Sequence, residues 1–161
     1  MTIRKLAALL GATLTVMLTG CTMAVFNVIV PRSGYHVQTD IAYGGDPRQK
    51  LDVYIPDNLK VPAPVLVFFY GGSWQDGDKD QYLAVGQSFA SRGVITVVVN
   101  YRLYPPNKFP SFVDDGALAL KYVHDHAAQF DGDPKRIFLS GHSAGAYIAA
   151  MLGSNYEYLR D

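Results

Sequence analysis

Residues 136–145 read RIFLSGHSAG, the most informative stretch of the sequence. The segment Arg136–Leu139 predicts a short strand, and one glycine stands two positions before Ser143 and another two positions after it. That spacing is typical of a very tight turn from a strand into a helix, because glycine lets the two elements approach without a clash at Cβ. Such a turn holds the serine hydroxyl exposed, and the apolar residues through Leu152 predict the helix that follows. The alternative is a glycine-rich turn in which Ser143 only caps that helix.

Strand and helix patterns alternate upstream of this turn. Continuous apolar runs predict strands that are buried on both faces, whereas the strict alternation of residues 51–55 predicts a half-buried strand. Gly93 is placed to end the first helix. The predicted elements are strands at 36–43, 51–55, 64–70 and 94–99 and helices at 80–92 and 111–130. Strands that alternate with helices predict parallel pairing with right-handed crossovers, so the fold class is α/β.

Composition excludes several classes of protein. The chain has 161 residues, of which 49% are hydrophobic and 17% are charged, so it is not a disordered tail. Fourteen basic and fourteen acidic side chains give a formal net charge of zero, which argues against a nucleic-acid partner. A single cysteine excludes a disulfide framework within the chain and a thiolate-rich zinc site. We therefore expect one domain that uses no metal and no cofactor.

The N-terminal residues predict export. Arg4 and Lys5 precede an apolar stretch at 6–18, as in a secretory signal, and Leu18-Thr19-Gly20-Cys21 resembles the lipobox of bacterial lipoproteins. That resemblance implies cleavage before Cys21, lipidation of its thiol, and a protein anchored to a membrane of the bacterial cell envelope, facing the periplasm or the outside. The alternatives are an uncleaved membrane-spanning helix through Val30 and a cysteine with no such role. The predicted organisation is a signal peptide at 1–20, a tether at 21–35 and a folded domain at 36–161.

Short motifs along the chain resemble one enzyme superfamily. The matching pieces, in order, are Leu51-Asp52-Val53-Tyr54, Gly71-Gly72-Ser73-Trp74, Asn100-Tyr101-Arg102-Leu103, Phe109-Pro110, Asp114, Gly132-Asp133-Pro134 and the serine turn. Together they resemble the esterase–lipase branch of the α/β-hydrolase superfamily, near its hormone-sensitive-lipase-like, feruloyl-esterase-like and isoprenylcysteine-methylesterase-like members. The resemblance implies the N-terminal part of a doubly wound, mostly parallel sheet that ends just after the helix opened by Ser143. Residues 36–161 would then form a partial α/β-hydrolase domain.

The same resemblance implies a site for a small-molecule carboxylic ester. Ser143 would be the nucleophile that forms an acyl-enzyme. Gly71, Gly72 and Ala144 would donate backbone N–H groups to the oxyanion. Each donor of this kind is worth roughly 10²–10³ in rate.

Two features depart from the family pattern. The oxyanion loop of the family normally begins with His, whereas this chain has Tyr70, so we expect Gly71 and Gly72 to remain usable but less well positioned. The triad order of the fold is nucleophile, acid and histidine, and no histidine follows Ser143. The resemblance therefore implies that the acid and base lie in sequence absent here and that this chain alone is inactive. Two hypotheses stay open: a serine carboxylesterase, and a lipid-anchored, catalytically silent remnant that at most binds a ligand.

The remaining polar residues have structural interpretations. All four histidines precede the nucleophile, and none is placed to be its general base: His36, His124, His126 and His142. Asp114 and Asp115 fall in the first turn of a helix, where acids complement the helix dipole. Arg102 is predicted to form a structural salt bridge or to contact carbonyl groups, and Trp74 to pack or to line the pocket.

Absence of the later strands would leave apolar residues uncovered. The outer edge of the strand at Arg136–Leu139 would be open, with unpaired N–H and C=O groups beside Ile137 and Phe138. The helix after Ser143 would also lack part of its cover. The residues expected to be exposed there are Tyr147, Ile148, Met151 and Leu152.

Overall fold

A five-stranded sheet forms the centre of the computed structural model, which describes residues 27–59 and 62–160. Its strands are β1 (Tyr35–Ala42), β2 (Lys50–Pro56), β3 (Ala63–Phe69), β4 (Ile95–Val99) and β5 (Gly132–Gly141). Their order across the sheet is β1-β2-β4-β3-β5. β3 pairs in parallel with β4 and β5, and β2 is antiparallel to β1 and β4. All strands except β2 therefore point the same way, which confirms the prediction of a mostly parallel α/β sheet.

The predicted signal peptide and Cys21 lie outside the described residues, as does part of the tether. Within residues 27–59 and 62–160, no helix is both long enough and apolar enough to span a bilayer.

Three α-helices cover the two faces of the sheet: α1 (Leu83–Ala90), α2 (Ser111–His126) and α3 (Ala144–Ser154). Gly86 of α1 lies against the ring of Tyr54, whose side chain shares a face with Leu66. Gly116 of α2 lies beside Phe69 and α3, and Phe69 is three residues beyond Leu66, so it points to the opposite face. Helix α1 thus covers one face, and α2 with α3 covers the other. This is the doubly wound arrangement.

The first predicted helix, 80–92, consists of two parts. A 3₁₀ turn at Lys79–Tyr82 begins where the side chain of Asp78 accepts a hydrogen bond from the N–H of Asp80, and α1 then ends at Ala90. Gly93 has a φ of +83°, and its N–H donates to the carbonyl of Ala90. Glycine therefore follows the helix as predicted, although the helix itself ends three residues before it. The second predicted helix divides in the same way, since a 3₁₀ turn at Ala127–Phe130 follows α2.

β2 is buried on both faces, so the prediction of a half-buried strand is wrong. Every residue from Leu51 to Pro56 is buried, including Asp52. The carboxylate of Asp52 lies 3.0 Å from Nζ of Lys79, which is also buried. Asp52 is therefore polar because its carboxylate pairs with Lys79, and not because its face of β2 contacts water.

β5 pairs with one strand among the described residues, namely β3. Its other edge has no strand partner among these residues, as predicted, and the Phe138 side chain is 56% exposed. The expectation that Ile148 and Leu152 would be exposed is wrong, since they are 0% and 1% exposed. They are buried because Gly116 of α2 lets the two helices pack closely. Tyr147 on the other side of α3 remains 42% exposed.

Candidate active site

Ser143 lies on the turn between β5 and α3 with a φ of +52° and a ψ of −116°. A non-glycine residue in this region costs on the order of 1–3 kcal/mol and persists only where the surrounding fold enforces it. A Cβ on Gly141 would meet the backbone of Gly145, and a Cβ on Gly145 would meet the carbonyl of Phe69, both inside 3.0 Å. Only glycine fits at these two positions. Because Ser143 is exposed and makes no side-chain capping hydrogen bond, the alternative of a merely capping serine is wrong.

The loop after β3 lies directly against this turn. A Cβ on Gly71 would be 2.7 Å from Nδ1 of His142 and 3.1 Å from Cβ of Ser143, so the backbone at Gly71 contacts the serine turn. Gly72 has a φ of +134°, and its carbonyl accepts the N–H groups of Gln75 and Asp76. Ala144 is the first residue of α3, where N–H groups lack an acceptor within the helix. The structure thus places the backbone of Gly71 against the serine turn that leads into Ala144, while the contacts of Gly72 lie within its own loop.

Tyr70 precedes Gly71 and is completely buried. Its ring stacks on Tyr101 with centroids 4.7 Å apart, and its hydroxyl accepts a hydrogen bond from Arg48. Burial raises the pKa of Tyr70 to about 12, against the opposing effect of the Arg48 guanidinium. The residue found where the family has His is therefore a neutral phenol with fixed contacts.

An aromatic cleft lies beside the serine turn. Trp74 stacks on Phe112 with ring centroids 5.9 Å apart and meets the edge of Tyr147 at 5.7 Å. Tyr147 is four residues after Ser143 on the adjoining helix α3, so this cluster borders Ser143. The open cavity has a volume of about 350 Å³ and is lined by Ser73, Trp74, Gln75, Tyr104, Lys108, Phe109 and Phe112. Trp74 therefore both packs and lines a pocket, as the sequence predicted.

Two ion-pair clusters connect loops and turns of the chain to the sheet and to α2. Arg102 donates through its backbone N–H and its guanidinium to the carboxylate of Asp115, which is 1% exposed and also accepts from Gln49. This confirms the structural salt bridge predicted for Arg102. Of the two acids predicted for the first turn of α2, Asp114 lies there, whereas Asp115 is one residue further along and pairs with Arg102. Lys79 contacts Asp52 together with the carboxylates of Asp40 and Asp80. Burial works against the charge on Lys79, but hydrogen bonds to the three carboxylates outweigh it and raise its pKa.

No histidine of the described residues forms a hydrogen bond with Ser143. His36 lies on β1, four strands from β5 and thus roughly 19 Å away at about 4.8 Å per strand, and it contacts Asp57. His124 pairs with Asp125 on the surface, and His126 stacks on Tyr122. His142 is adjacent to Ser143 in the chain and lies against Gly71. Within residues 27–59 and 62–160, no group of three or more His, Cys, Asp or Glu side chains could hold a metal ion.

Comparison with known families matches this geometry. The sequence model of the BD-FAE family matches residues 51–159, a segment that begins in β2 and includes the loop after β3 and the serine turn. The chain belongs to the BD-FAE family. This result, with the structural neighbours below, confirms the resemblance to α/β-hydrolase esterases.

Relatives of this BD-FAE chain carry esterase names. Isoprenylcysteine alpha-carbonyl methylesterase of Arabidopsis thaliana is 40% identical over 114 residues, which make up 71% of this chain and 27% of the plant protein. A carboxylesterase of Mycobacterium tuberculosis is 36% identical over 113 residues, covering 70% of this chain and 35% of that protein. The chain thus spans about a quarter to a third of the length of these relatives.

Solved structures share the fold of the BD-FAE chain. A bacterial heroin esterase superposes with a TM-score of 0.76 at 29% identity, over 88% of this chain and 46% of that one. Esterase B from Lactobacillus Rhamnosis gives a TM-score of 0.77 over 94% of this chain and 49% of its own, and its 22% identity supports the fold alone.

Two interactions were not identified from the sequence: that of Arg48 with Tyr70, next to Gly71, and that of Lys79 with Asp52 in β2. A signal for Lys79 existed, because Asp52 stands in an otherwise apolar strand and a buried carboxylate requires a cation. Arg48 lies in the turn between β1 and β2 and gives no comparable signal, since its contacts depend on how β2, β3 and β4 are ordered in the sheet.

Proposed function

We propose that the protein is a serine hydrolase of small-molecule carboxylic esters that works through an acyl-enzyme on Ser143. The observation that carries this proposal is the strained backbone of Ser143, on a turn that Gly141 and Gly145 allow and that Gly71 contacts. Strain of this kind is concentrated at sites of function. Membership of a family whose relatives are esterases supports the same assignment.

The proposed acylation step uses the serine oxygen as nucleophile. Oγ of Ser143 forms a bond to the ester carbonyl carbon while its proton passes to a general base, and the carbonyl electron pair moves onto oxygen. The N–H groups of Gly71, Gly72 and Ala144 would donate to this oxyanion. The bond to the alcohol oxygen then breaks, the alcohol takes up the proton, and the acyl group stays on Ser143. Water attacks the acyl-enzyme in the same way and releases the carboxylic acid.

We propose that the general base and its acidic partner come from polypeptide other than these 161 residues. The support is the position of the histidines, since His36, His124 and His126 belong to other parts of the fold and His142 is the immediate neighbour of the nucleophile. Without a base, Ser143 stays a neutral hydroxyl near neutral pH. An oxyanion hole with substrate binding alone retains about 10³–10⁴ over water, far below full catalysis.

The aromatic cleft is the proposed binding site for an apolar part of the ester. Trp74 and Tyr147 flank the turn of Ser143, and their rings would bury an apolar acyl or alcohol group next to the reacting carbonyl. Binding in this cleft requires no metal and no cofactor.

A second candidate function is a catalytically silent, lipid-anchored protein that binds ligand in the same cleft. The observation that favours it is the lack of a placed general base among the described residues. The two candidates differ in whether Ser143 becomes acylated.

Acylation by a nitrophenyl ester distinguishes these candidates. The purified full chain is mixed with 4-nitrophenyl acetate, with and without added imidazole as a substitute base, and nitrophenol release and protein mass are recorded. The esterase proposal predicts an imidazole-dependent acetyl adduct on Ser143 that is lost in Ser143→Ala. The matched control is Ser154→Ala at the exposed end of α3, which should behave as the wild type. No adduct with imidazole present would favour the silent protein, and equal acylation of Ser143→Ala would contradict the esterase proposal.

We also propose that the protein is exported and anchored to a membrane through lipid on Cys21. The support lies in the sequence alone, where a basic and then apolar N-terminus leads to Leu18-Thr19-Gly20-Cys21. Two or more acyl chains would anchor the protein stably, since each buried CH₂ contributes about 0.8 kcal/mol.

A further inference from the structure

Arg48 makes an unusual set of contacts for a residue in a turn between two strands. Its Nη2 donates to the hydroxyl of Tyr70 at 2.5 Å and to the carbonyl of Gly77 at 2.9 Å. Its Nε donates to the carbonyl of Tyr101 at 2.9 Å, and Nη1 lies 3.7 Å from the carboxylate of Asp78. One guanidinium therefore bonds to residues at both ends of the loop at 71–77, which we call the oxyanion loop.

Tyr70 connects this guanidinium to the start of the oxyanion loop. Its carbonyl accepts a hydrogen bond from the hydroxyl of Tyr101 at 2.8 Å, and its ring stacks on Tyr101 and on Tyr82. With the hydroxyl bound by Arg48, both the backbone and the side chain of Tyr70 are fixed. Gly71 follows immediately, so its N–H direction depends on how Tyr70 is held.

Gly77 connects the guanidinium to the end of the same loop. It has a φ of +108°, and a Cβ there would be 2.6 Å from the Tyr70 ring, so the end of the loop packs directly on the residue before its beginning. The segment between them contains three consecutive residues with positive φ, namely Gly72, Ser73 and Trp74. Such a backbone needs external contacts to stay in one conformation.

We propose that Arg48 is a positioning residue that holds the oxyanion loop through Tyr70 and Gly77. The inference deepens the proposed function, because it concerns the loop that would place Gly71 and Gly72 toward an oxyanion. Tyr70 and Arg48 together supply the fixed side chain that the sequence lacks where the family has His. Arginine is required because its planar fork donates in several directions at once, whereas the single ammonium group of lysine does not reproduce that geometry.

Trp74 makes the test independent of catalysis. It is the single tryptophan of the chain and lies in the oxyanion loop itself, so emission excited on the red edge of indole absorption reports on this loop alone. The experiment measures acrylamide quenching of Trp74 in the full chain for the wild type, Arg48→Met, Arg48→Lys and Tyr70→Phe. The matched control is Arg136→Met, which removes a guanidinium that donates to the carboxylate of Asp133 and to the carbonyl of Pro62 just before β3, away from the loop.

Loss of the Arg48 contacts should open the loop locally. We expect the quenching constant to rise about two-fold in Arg48→Met, in Arg48→Lys and in Tyr70→Phe, because each change frees the loop from its anchoring hydrogen bonds. The double variant Arg48→Met with Tyr70→Phe should show no rise beyond that of Arg48→Met, since loss of the guanidinium already breaks the contact with the Tyr70 hydroxyl. Arg136→Met should leave the quenching constant unchanged.

A general loss of stability needs its own control. Ile95→Val removes a methyl group at the start of β4, the end of the sheet opposite the loop, and should lower the melting temperature without changing Trp74 quenching. Unchanged quenching in folded Arg48→Met, or full recovery in Arg48→Lys, would overturn the proposal. If Arg48→Met does not fold, Tyr70→Phe alone decides the question. Failure of Ser143 acylation would refute the proposed function and leave this measurement unaffected.

Discussion

Adding one methyl group at Gly145 tests the geometry of the serine turn. In the structure a Cβ at this position meets the carbonyls of Phe69 and Tyr70 well inside 3.0 Å, and these are backbone atoms of a central strand that cannot rotate away. Gly153, eight residues later in the same helix, has no atom within 4 Å of the corresponding position. The same chemical change, Gly→Ala, therefore has opposite consequences at the two ends of α3.

The expected magnitudes follow from packing and helix propensity. Overpacking a core typically costs about 1–3 kcal/mol, and we expect at least about 3 kcal/mol for Gly145→Ala because backbone must move. Gly153→Ala should instead stabilise the protein by roughly 0.5–1 kcal/mol, since alanine loses less conformational freedom than glycine in a helix. With about 2–4 °C per kcal/mol for a chain of this size, the melting temperature should fall by about 6–12 °C for Gly145→Ala and rise by about 1–4 °C for Gly153→Ala.

Thermal unfolding of the full chain followed by circular dichroism measures both variants under one set of conditions. A Gly145→Ala protein as stable as the wild type would show that the turn is looser than described. A Gly153→Ala protein that loses as much stability as Gly145→Ala would show that glycine is needed throughout α3 for some other reason. Either result would refute the claim that close contact with Phe69 selects glycine beside the nucleophile.

Three further changes test other parts of the structure. Lys79→Met leaves Asp52 buried beside Asp40 and Asp80 without a cation, so urea unfolding should show a loss of about 3–5 kcal/mol at pH 7. Burial raises the pKa of Asp52 above its value in the unfolded chain, so the folded state binds a proton at this carboxylate more tightly. The stability lost in Lys79→Met should therefore shrink as the pH falls towards 4. A loss of stability that is independent of pH would argue against an uncompensated carboxylate. Ser143→Gly should be more stable than Ser143→Ala by about 1 kcal/mol or more, because only glycine relieves the backbone strain at a φ of +52°. Equal stabilities of the two variants would mean that no strain is stored at this residue. Radiolabelled palmitate supplied to a bacterial host should label the wild type and not Cys21→Ser, whereas equal labelling of both would remove the lipid-anchor proposal.

The order of strands and helices was predictable because it depends on local pattern. Buried strands such as β3 and β4 are continuous apolar runs, and the glycines around Ser143 have one steric interpretation once a strand and a helix flank them. The family motifs also made it possible to predict the position of the loop at 71–77. These features lie within short segments, so the sequence contains what is needed to place them.

Features that depend on distant contacts were not predictable in the same way. β2 alternates as a half-exposed strand would, yet Asp52 is buried because Lys79 arrives from a separate turn. Ile148 was expected at the surface, and Gly116 of α2 buries it. Arg48 acts on a loop that follows a different strand, and its partners become neighbours only when the sheet is assembled.

The identity of the nucleophile is tested most directly by site-specific labelling with a fluorophosphonate. The full chain is incubated with the probe, with and without imidazole, and the adduct is located by peptide mass spectrometry. The strained turn and its neighbouring N–H groups predict one adduct, on Ser143, whose formation is accelerated by imidazole and is absent from Ser143→Ala. Adducts spread over other hydroxyl groups at similar rates, or labelling that is unchanged in Ser143→Ala, would contradict the assignment of Ser143 as the acyl nucleophile.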